Sequence, residues 1–227
     1  LAFYFSSFVL YKLRRAPCSL PSPYTSAFRS HVGYKVCIVD SDESQATSKW
    51  SGRRAGGEIE PYVHVVGVMD AKALKATIKH QYQDNDYDIL VIDSPPSDQV
   101  ISRQIMQTSN LILIPITPTG NDELDSIAEM LERNGEIQDE QEQNTPAYFI
   151  VNRYDPRVAF HKSFISQLEE MGKEYDVQIL DTYIQYRPAI YGEISTFGQG
   201  VTEHKNKKAK QEYIKLGKTI VKIGEKI

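Results

Sequence analysis

YKVCIVDSD, Tyr34 to Asp42, and DYDILVIDSPPS, Asp86 to Ser97, decide the fold. Each is an aliphatic, β-branched run that ends in a carboxylate. Unbroken apolar runs of this length read as strands buried on both faces, the habit of parallel sheets. The text around them alternates strand with helix. Gln45–Arg54 reads as a short helix and Pro61–Val66 as a strand, and Asp70 caps a helix running to about Tyr82. Ser97–Thr108 follows as a helix, Leu111–Thr117 as a strand and Asp122–Gly135 as a helix with an acidic outer face. Ala147–Asn152 is a strand, Ala159–Tyr175 a helix, Val177–Leu180 a short strand and Lys205–Ile227 a long closing helix. The polar stretch Gln138–Gln143 reads as a solvated loop. The expected fold class is α/β, a mostly parallel doubly wound sheet flanked by helices. Such sheets gather their ligands at the carboxyl ends of the strands.

Composition narrows the partners. The chain has 227 residues, 41% hydrophobic and 25% charged, which suits one sizeable α/β domain. A net charge of −4 leaves no global field to draw it onto nucleic acid or membrane, so any such contact needs a local patch. Cys18 and Cys37 are the two cysteines, without CxxC spacing or a histidine pair beside them. A zinc site is not expected, Cys37 reads as a core residue, and a reducing cytoplasm fits. His31, His64, His80, His161 and His204 are scattered without metal-ligand spacing. Leu1–Leu10 is apolar but too short to span a bilayer, and its positive charges, Lys12, Arg14 and Arg15, come after the apolar run, the reverse of a secretion signal. A start at Leu rather than Met hints at a fragment or an uncertain start.

The carboxylates carry the candidate chemistry. Asp40 and Asp42 end the strand at Tyr34–Asp40, and Asp93 ends the strand at Asp88–Asp93, ahead of Pro95 and Pro96. On neighbouring parallel strands they converge on one crevice, where they can hold magnesium through its waters and orient an attacking water. The plainer reading is that each caps the loop or helix that follows.

VDSDESQATSKW, Val39–Trp50, resembles the acidic switch of ParA-type partition ATPases, usually VDxDxQ followed by small residues and often Trp. DNDYDILVIDSPPS, Asp84–Ser97, resembles their Walker B segment. Leu111–Glu132, Phe149–Arg157 and Ile184–Glu203 resemble the next strand, proline turn and helix, the stretch that flanks the adenine, and the late loop-and-helix region. The likeness runs from about Gly33 to Ile223 and is nearest to small plasmid ParA proteins without an N-terminal DNA-binding domain. It implies a P-loop NTPase-like fold of ParA/MinD type, with ATP and Mg2+ as cofactors. By the same resemblance Asp42 acts on the hydrolytic water, Asp40 and Asp93 serve the magnesium, and Asn152, Arg153 and Pro118 lie near the adenine. It further implies an ATP-dependent homodimer, non-specific DNA binding, a centromere-binding ParB-type partner, no membrane, and a nucleoid-associated place in the cytoplasm.

The sequence departs from the family at its start. The family opens with a strand and KGGxGK[ST], whose glycines let backbone N–H groups wrap the phosphates. Counted back from Asp40, that loop belongs near Leu13–Leu20, which reads LRRAPCSL, without glycine and with Pro17 inside. Residues 1–32 are therefore an atypical segment in place of the phosphate-loop strand and helix, and 33–227 the nucleotide-switch domain. Residues up to about Arg29 read as an out-of-frame translation. Codons for Ser19–Ser26, shifted one frame, can spell the Ser-Thr-Val-Ala-Val-His-Leu expected of the helix after the loop. Two functions follow, an ATPase of plasmid or chromosome partition and a catalytically inactive remnant or binding module. A nitrogenase-iron-protein relative would need cluster cysteines that Cys18 and Cys37 do not supply.

The closing helix carries Lys205, Lys207, Lys208, Lys210, Lys215, Lys218, Lys222 and Lys226, while Tyr213, Leu216, Ile220, Ile223 and Ile227 form an apolar stripe. The plain reading is a packed helix with a solvated lysine face. The functional one is a DNA surface of Lys205, Lys207, Lys208 and Lys210 that Arg187 extends, with Lys162 as a further member. A MinD-like membrane tail is disfavoured by the lack of a bulky Phe or Trp face.

Overall fold

A computed structural model describes residues 8–11, 34–83, 85, 87–95, 99–142 and 144–227. Pro96, Cys18, the Leu13–Leu20 stretch and most of the segment read as out of frame lie outside the described residues.

The elements run β1 (Phe8–Tyr11), β2 (Val36–Asp40), α1 (Ala46–Gly56), β3 (His64–Gly67), α2 (Ala71–Gln83), β4 (Ile89–Asp93), α3 (Gln99–Thr108) and β5 (Leu111–Ile116). They continue with α4 (Asn121–Gln141), β6 (Ala147–Val151), α5 (Ala159–Glu174), β7 (Gln178–Ile179), α6 (Pro188–Phe197) and α7 (Lys207–Gly224). The sheet order is β3-β2-β4-β1-β5-β6-β7. β2 pairs in parallel with β3 and β4, and β6 with β5 and β7. The α/β class with a mostly parallel sheet is as expected.

Each strand serves two cores because alternate side chains take opposite faces. Leu90 and Ile92 of β4, with Ile112, Ile114 and Ile116 of β5, pack in the larger core with Leu74, Ile105, Leu124, Leu131, Phe164 and Leu168 of α2 to α5. Ile89, Val91, Leu111 and Leu113 face the other way, onto Ile220 and Val221 of α7. Helices therefore cover both faces, which is why these strands read as continuous apolar runs. Cys37 lies wholly inside the larger core, and burial pushes its thiol up to about 12, which makes it a packing residue.

One expectation needs correction. The polar stretch expected as a loop after Gly135 is helical to Gln141, because Ile137, 1% exposed, anchors another turn in the core and the residues around it are good helix formers. The N-terminal segment contributes a central strand: β1 fills the slot between β4 and β5 and runs antiparallel to both.

Candidate functional site

Asp40 and Asp93 end β2 and β4 directly opposite each other in the parallel register. Both are buried, at 0% and 5% exposure. The N-terminus of α1 lies over them. Its cap position holds Gln45 in a left-handed conformation (φ 48°), with no side-chain cap of its own. Asp40 supplies that cap: its Oδ2 accepts from the Ser48 N–H and the Ser48 hydroxyl, both at 2.7 Å. Asp93 Oδ2 accepts from the Thr47 hydroxyl at 2.8 Å. Ser41 ties the two strand ends together, its N–H and hydroxyl both donating to the Asp93 carbonyl. Asp42 is half-buried, and its Oδ1 accepts from the Ser44 N–H at 2.6 Å in an Asx turn. Both readings of these carboxylates thus meet: they converge on one edge, and Asp40 and Asp42 also cap local backbone.

Burial pushes the Asp93 carboxyl up to about 7; the Thr47 hydrogen bond opposes this, and the charges of Asp40 and Asp42 add to it. Two buried carboxylates at paired strand ends repel, and a divalent cation between them would relieve the repulsion. The donors, carboxylates and hydroxyls, are the hard oxygens that magnesium takes. This half of the site fits the ion through Asp40 and Asp93, although no cluster of three acidic, histidine or cysteine ligands occurs among the described residues.

The opposite bank lies at the same edge, on β5 and β6. Asn152 follows β6 and donates its N–H to the Ile116 carbonyl at 2.7 Å, which sets it beside the end of β5. Arg153 takes a left-handed conformation (φ 52°), its N–H donating to Asn152 Oδ1 at 2.9 Å. Pro118 is buried in the turn after β5. Asn152, Arg153 and Pro118 therefore belong to one corner, across the β1 slot from Asp40 and Asp93.

A family model described as an AAA domain matches residues 65–146. An ATP complex of McdA from Cyanothece superposes with a TM-score of 0.64 at 15% identity, covering 84% of this chain and 86% of that one. A plasmid partition protein from Borrelia burgdorferi B31 bound to AMPPNP gives 0.62 at 14%, covering 83% and 87%. The MinC:MinD cell division complex of Aquifex aeolicus gives 0.59 at 13%, covering 84% of each chain. No curated protein matches the chain by sequence. The chain has the ParA/MinD-type ATPase fold.

Against the ParA/MinD pattern, the polarity of β1 matters most. Phe8 pairs with Asp93 and Leu113, and Tyr11 with Leu90. The start of β1 therefore meets the acidic edge, and the chain leaves Tyr11 at the opposite edge. A ParA-type phosphate loop follows its strand, whereas in β1 it is the first residue, not the last, that lies level with Asp93. The described residues offer Asp40 and Asp93 as hard oxygen donors at one edge and hold no glycine-rich cradle for phosphate.

Lys205, Lys207, Lys208 and Lys210 cluster at the start of α7, where Asn206 caps the helix by accepting from the Ala209 N–H at 3.0 Å. Lys205, Lys207 and Lys208 are exposed and Lys210 is half-buried. The first turn holds no acidic residue. Cations there oppose the helix dipole, a placement that stability alone disfavours. Arg187 differs: its guanidinium makes a two-pronged pair with Glu212 and a further bond to Gln185, so its charge is already matched. Lys162 is exposed on α5. Among the described residues no helix is long and apolar enough to cross a membrane. Sequence reasoning missed Thr47 and Ser48, whose only signal was their place among the small residues after the acidic motif.

Proposed function

We propose that this protein is a ParA-type partition protein in which the magnesium half of the ATPase site persists without the phosphate half. On this reading it is a DNA-binding module with little or no ATP turnover. The observation that carries it is the direction of β1, whose first residue, Phe8, and not its last, Tyr11, lies level with Asp93. Residues 1–32 stand in for the phosphate-loop strand and helix, and 33–227 keep the switch domain. The start of α7 is the DNA surface. Its lysines sit at the positive end of the helix dipole, an arrangement suited to phosphate from both sources of charge. Binding would be non-specific and fall steeply with salt, since each neutralised phosphate adds about 0.9 to the slope of log affinity against log salt.

Thermal unfolding with and without millimolar ATP–Mg tests it. A ligand at about a hundred times its dissociation constant stabilises by roughly 2.7 kcal/mol. The expected result is no shift; a clear shift refutes the inactive reading.

The second reading is a working partition ATPase, favoured by the intact pairing of Asp40 with Asp93. Asp42 would then act on water, Asp40 and Asp93 would hold Mg2+, and Asn152, Arg153 and Pro118 would border the adenine. ATP would drive a homodimer, and a ParB-type partner would trigger hydrolysis on the nucleoid. Asp42→Ala should then abolish turnover while sparing nucleotide binding; turnover that survives in this variant sinks the assignment.

A further inference from the structure

We propose that α1 is a connector: the hold of Asp40 and Asp93 on its first turn sets the placement of the α6–α7 connection and the start of α7, through the Arg54–Glu203 ion pair. The argument begins with Arg54, whose side chain is buried at 0% exposure. Its Nη1 and Nη2 donate to Glu203 Oε2 and Oε1 at 2.8 and 2.6 Å. Nε donates to the Pro61 carbonyl at 2.7 Å and Nη1 to the Gly198 carbonyl at 3.2 Å. A charge this deep is tolerated only where its donors are matched in fixed geometry. Glu203 also accepts from the Gly200 N–H at 2.7 Å, which folds the connection onto itself.

Neighbouring bonds run the same way. Trp50 donates its indole N–H to the Gln199 carbonyl at 3.0 Å, and Arg53 Nε donates to the Ser195 carbonyl at 2.8 Å. Gly198 lies so close that a Cβ there would fall 2.4 Å from the Arg54 backbone nitrogen. The far side of α1 is thus bolted to the end of α6, while its first turn is held by Asp40 and Asp93 through Ser48 and Thr47. Ser48 and Arg54 are separated by roughly 9 Å of helix, too short a rod to bend between its two anchors. Beyond Glu203, His204 accepts from the Asn206 N–H at 3.1 Å, and Asn206 caps the helix that carries Lys207 and Lys208. Whatever takes the two carboxylates from the hydroxyls, a divalent cation first among them, frees the first turn of α1 and so shifts the start of α7.

The consequence for DNA rests on the reading of α7 given above; the mechanical link does not. Amide hydrogen exchange on the full chain separates the two, read at Gly200, Ala209 and Lys210. The variant Thr47→Val with Ser48→Ala removes both hydroxyls. It should speed exchange at these amides about tenfold, and no change there overturns the connector. In a Glu203→Gln background the same pair should add less than twofold, whereas an undiminished tenfold effect overturns it. Distant sites with no shared partner are additive. Glu203→Asp, which shortens the carboxylate out of its two-pronged geometry while keeping its charge, provides the same cycle should Glu203→Gln fail to fold. Fluorescence anisotropy with a short DNA duplex follows: a tenfold change in affinity between parent and hydroxyl variant is expected. Coupled exchange in a parent that binds no DNA upholds the connector and refutes the DNA reading.

Discussion

Asp40 and Asp93 face each other across the β2–β4 pairing, held by adjacent hydroxyls of one helical turn, Ser48 and Thr47. The two carboxylates are therefore not equivalent. Asp40 is a helix cap, satisfied by a backbone N–H and a hydroxyl. Asp93 has the Thr47 hydroxyl on one oxygen and a carboxyl pushed up to about 7 by burial.

This asymmetry predicts a pH signature in stability. A carboxyl raised from 3.8 to about 7 keeps its proton longer in the folded chain than in the unfolded one. The folded state then binds more protons between these values, so stability falls as pH rises through the window and levels off above it. Asp93→Asn removes that loss. The variant should be more stable than the parent at pH 8, by up to a few kcal/mol, with the advantage shrinking toward pH 4. Urea unfolding across this range measures it, and an equal difference at both ends would count against the raised carboxyl.

Magnesium should show the mirror image. A cation on Asp93 must displace its proton, so binding strengthens as the carboxyl ionises. With the carboxyl at about 7, the ionised fraction grows roughly tenfold between pH 6 and pH 8. Calorimetric titration with Mg2+ alone should show a rise of that size. A pH-independent affinity would place the ion elsewhere.

The lysines of α7 separate stability from function by sign. Lys207 and Lys208 stand in the first turn of the helix, against its dipole. Replacing both by Glu should stabilise the fold by about 0.3–1 kcal/mol each. The same change should weaken DNA binding and flatten its salt dependence. Denaturant unfolding and anisotropy on one variant measure both, and loss of both stability and binding would make the lysines structural.

What was legible in the sequence follows from the range of each interaction. β2, β4, β5 and β6 announce themselves because strands buried on two faces need unbroken apolar runs, and the carboxylates that end β2 and β4 mark the edge where ligands gather. The direction of β1 is invisible, since a short run such as FVLY reads alike from either end. The last turns of α4 were hidden because one buried residue, Ile137, outweighs a polar neighbourhood. The cap of α1 was missed because Asp40 reaches past the usual cap position to Ser48. Nothing local could reveal Arg54 with Glu203, a pair separated by 149 positions and joined only by the fold.

Two glycines of α6 and its end give a last, internal contrast. Gly198 has φ +68°, and a side chain there would drive into the Arg54 backbone at 2.4 Å. Gly192 sits in the middle of the same helix with nothing within 4 Å of an added Cβ. Gly192→Ala should therefore stabilise by about 0.5–1 kcal/mol, as it gains helix propensity and meets no neighbour. Gly198→Ala should destabilise by roughly 1–3 kcal/mol from backbone conformation alone, and by more from the clash. If α6 docks on α1 as described, Gly198→Ala also frees the Trp50 indole from the Gln199 carbonyl, and its fluorescence shifts before global unfolding. Equal effects of the two substitutions, with Trp50 emission unchanged in both, would show that α6 does not rest on α1.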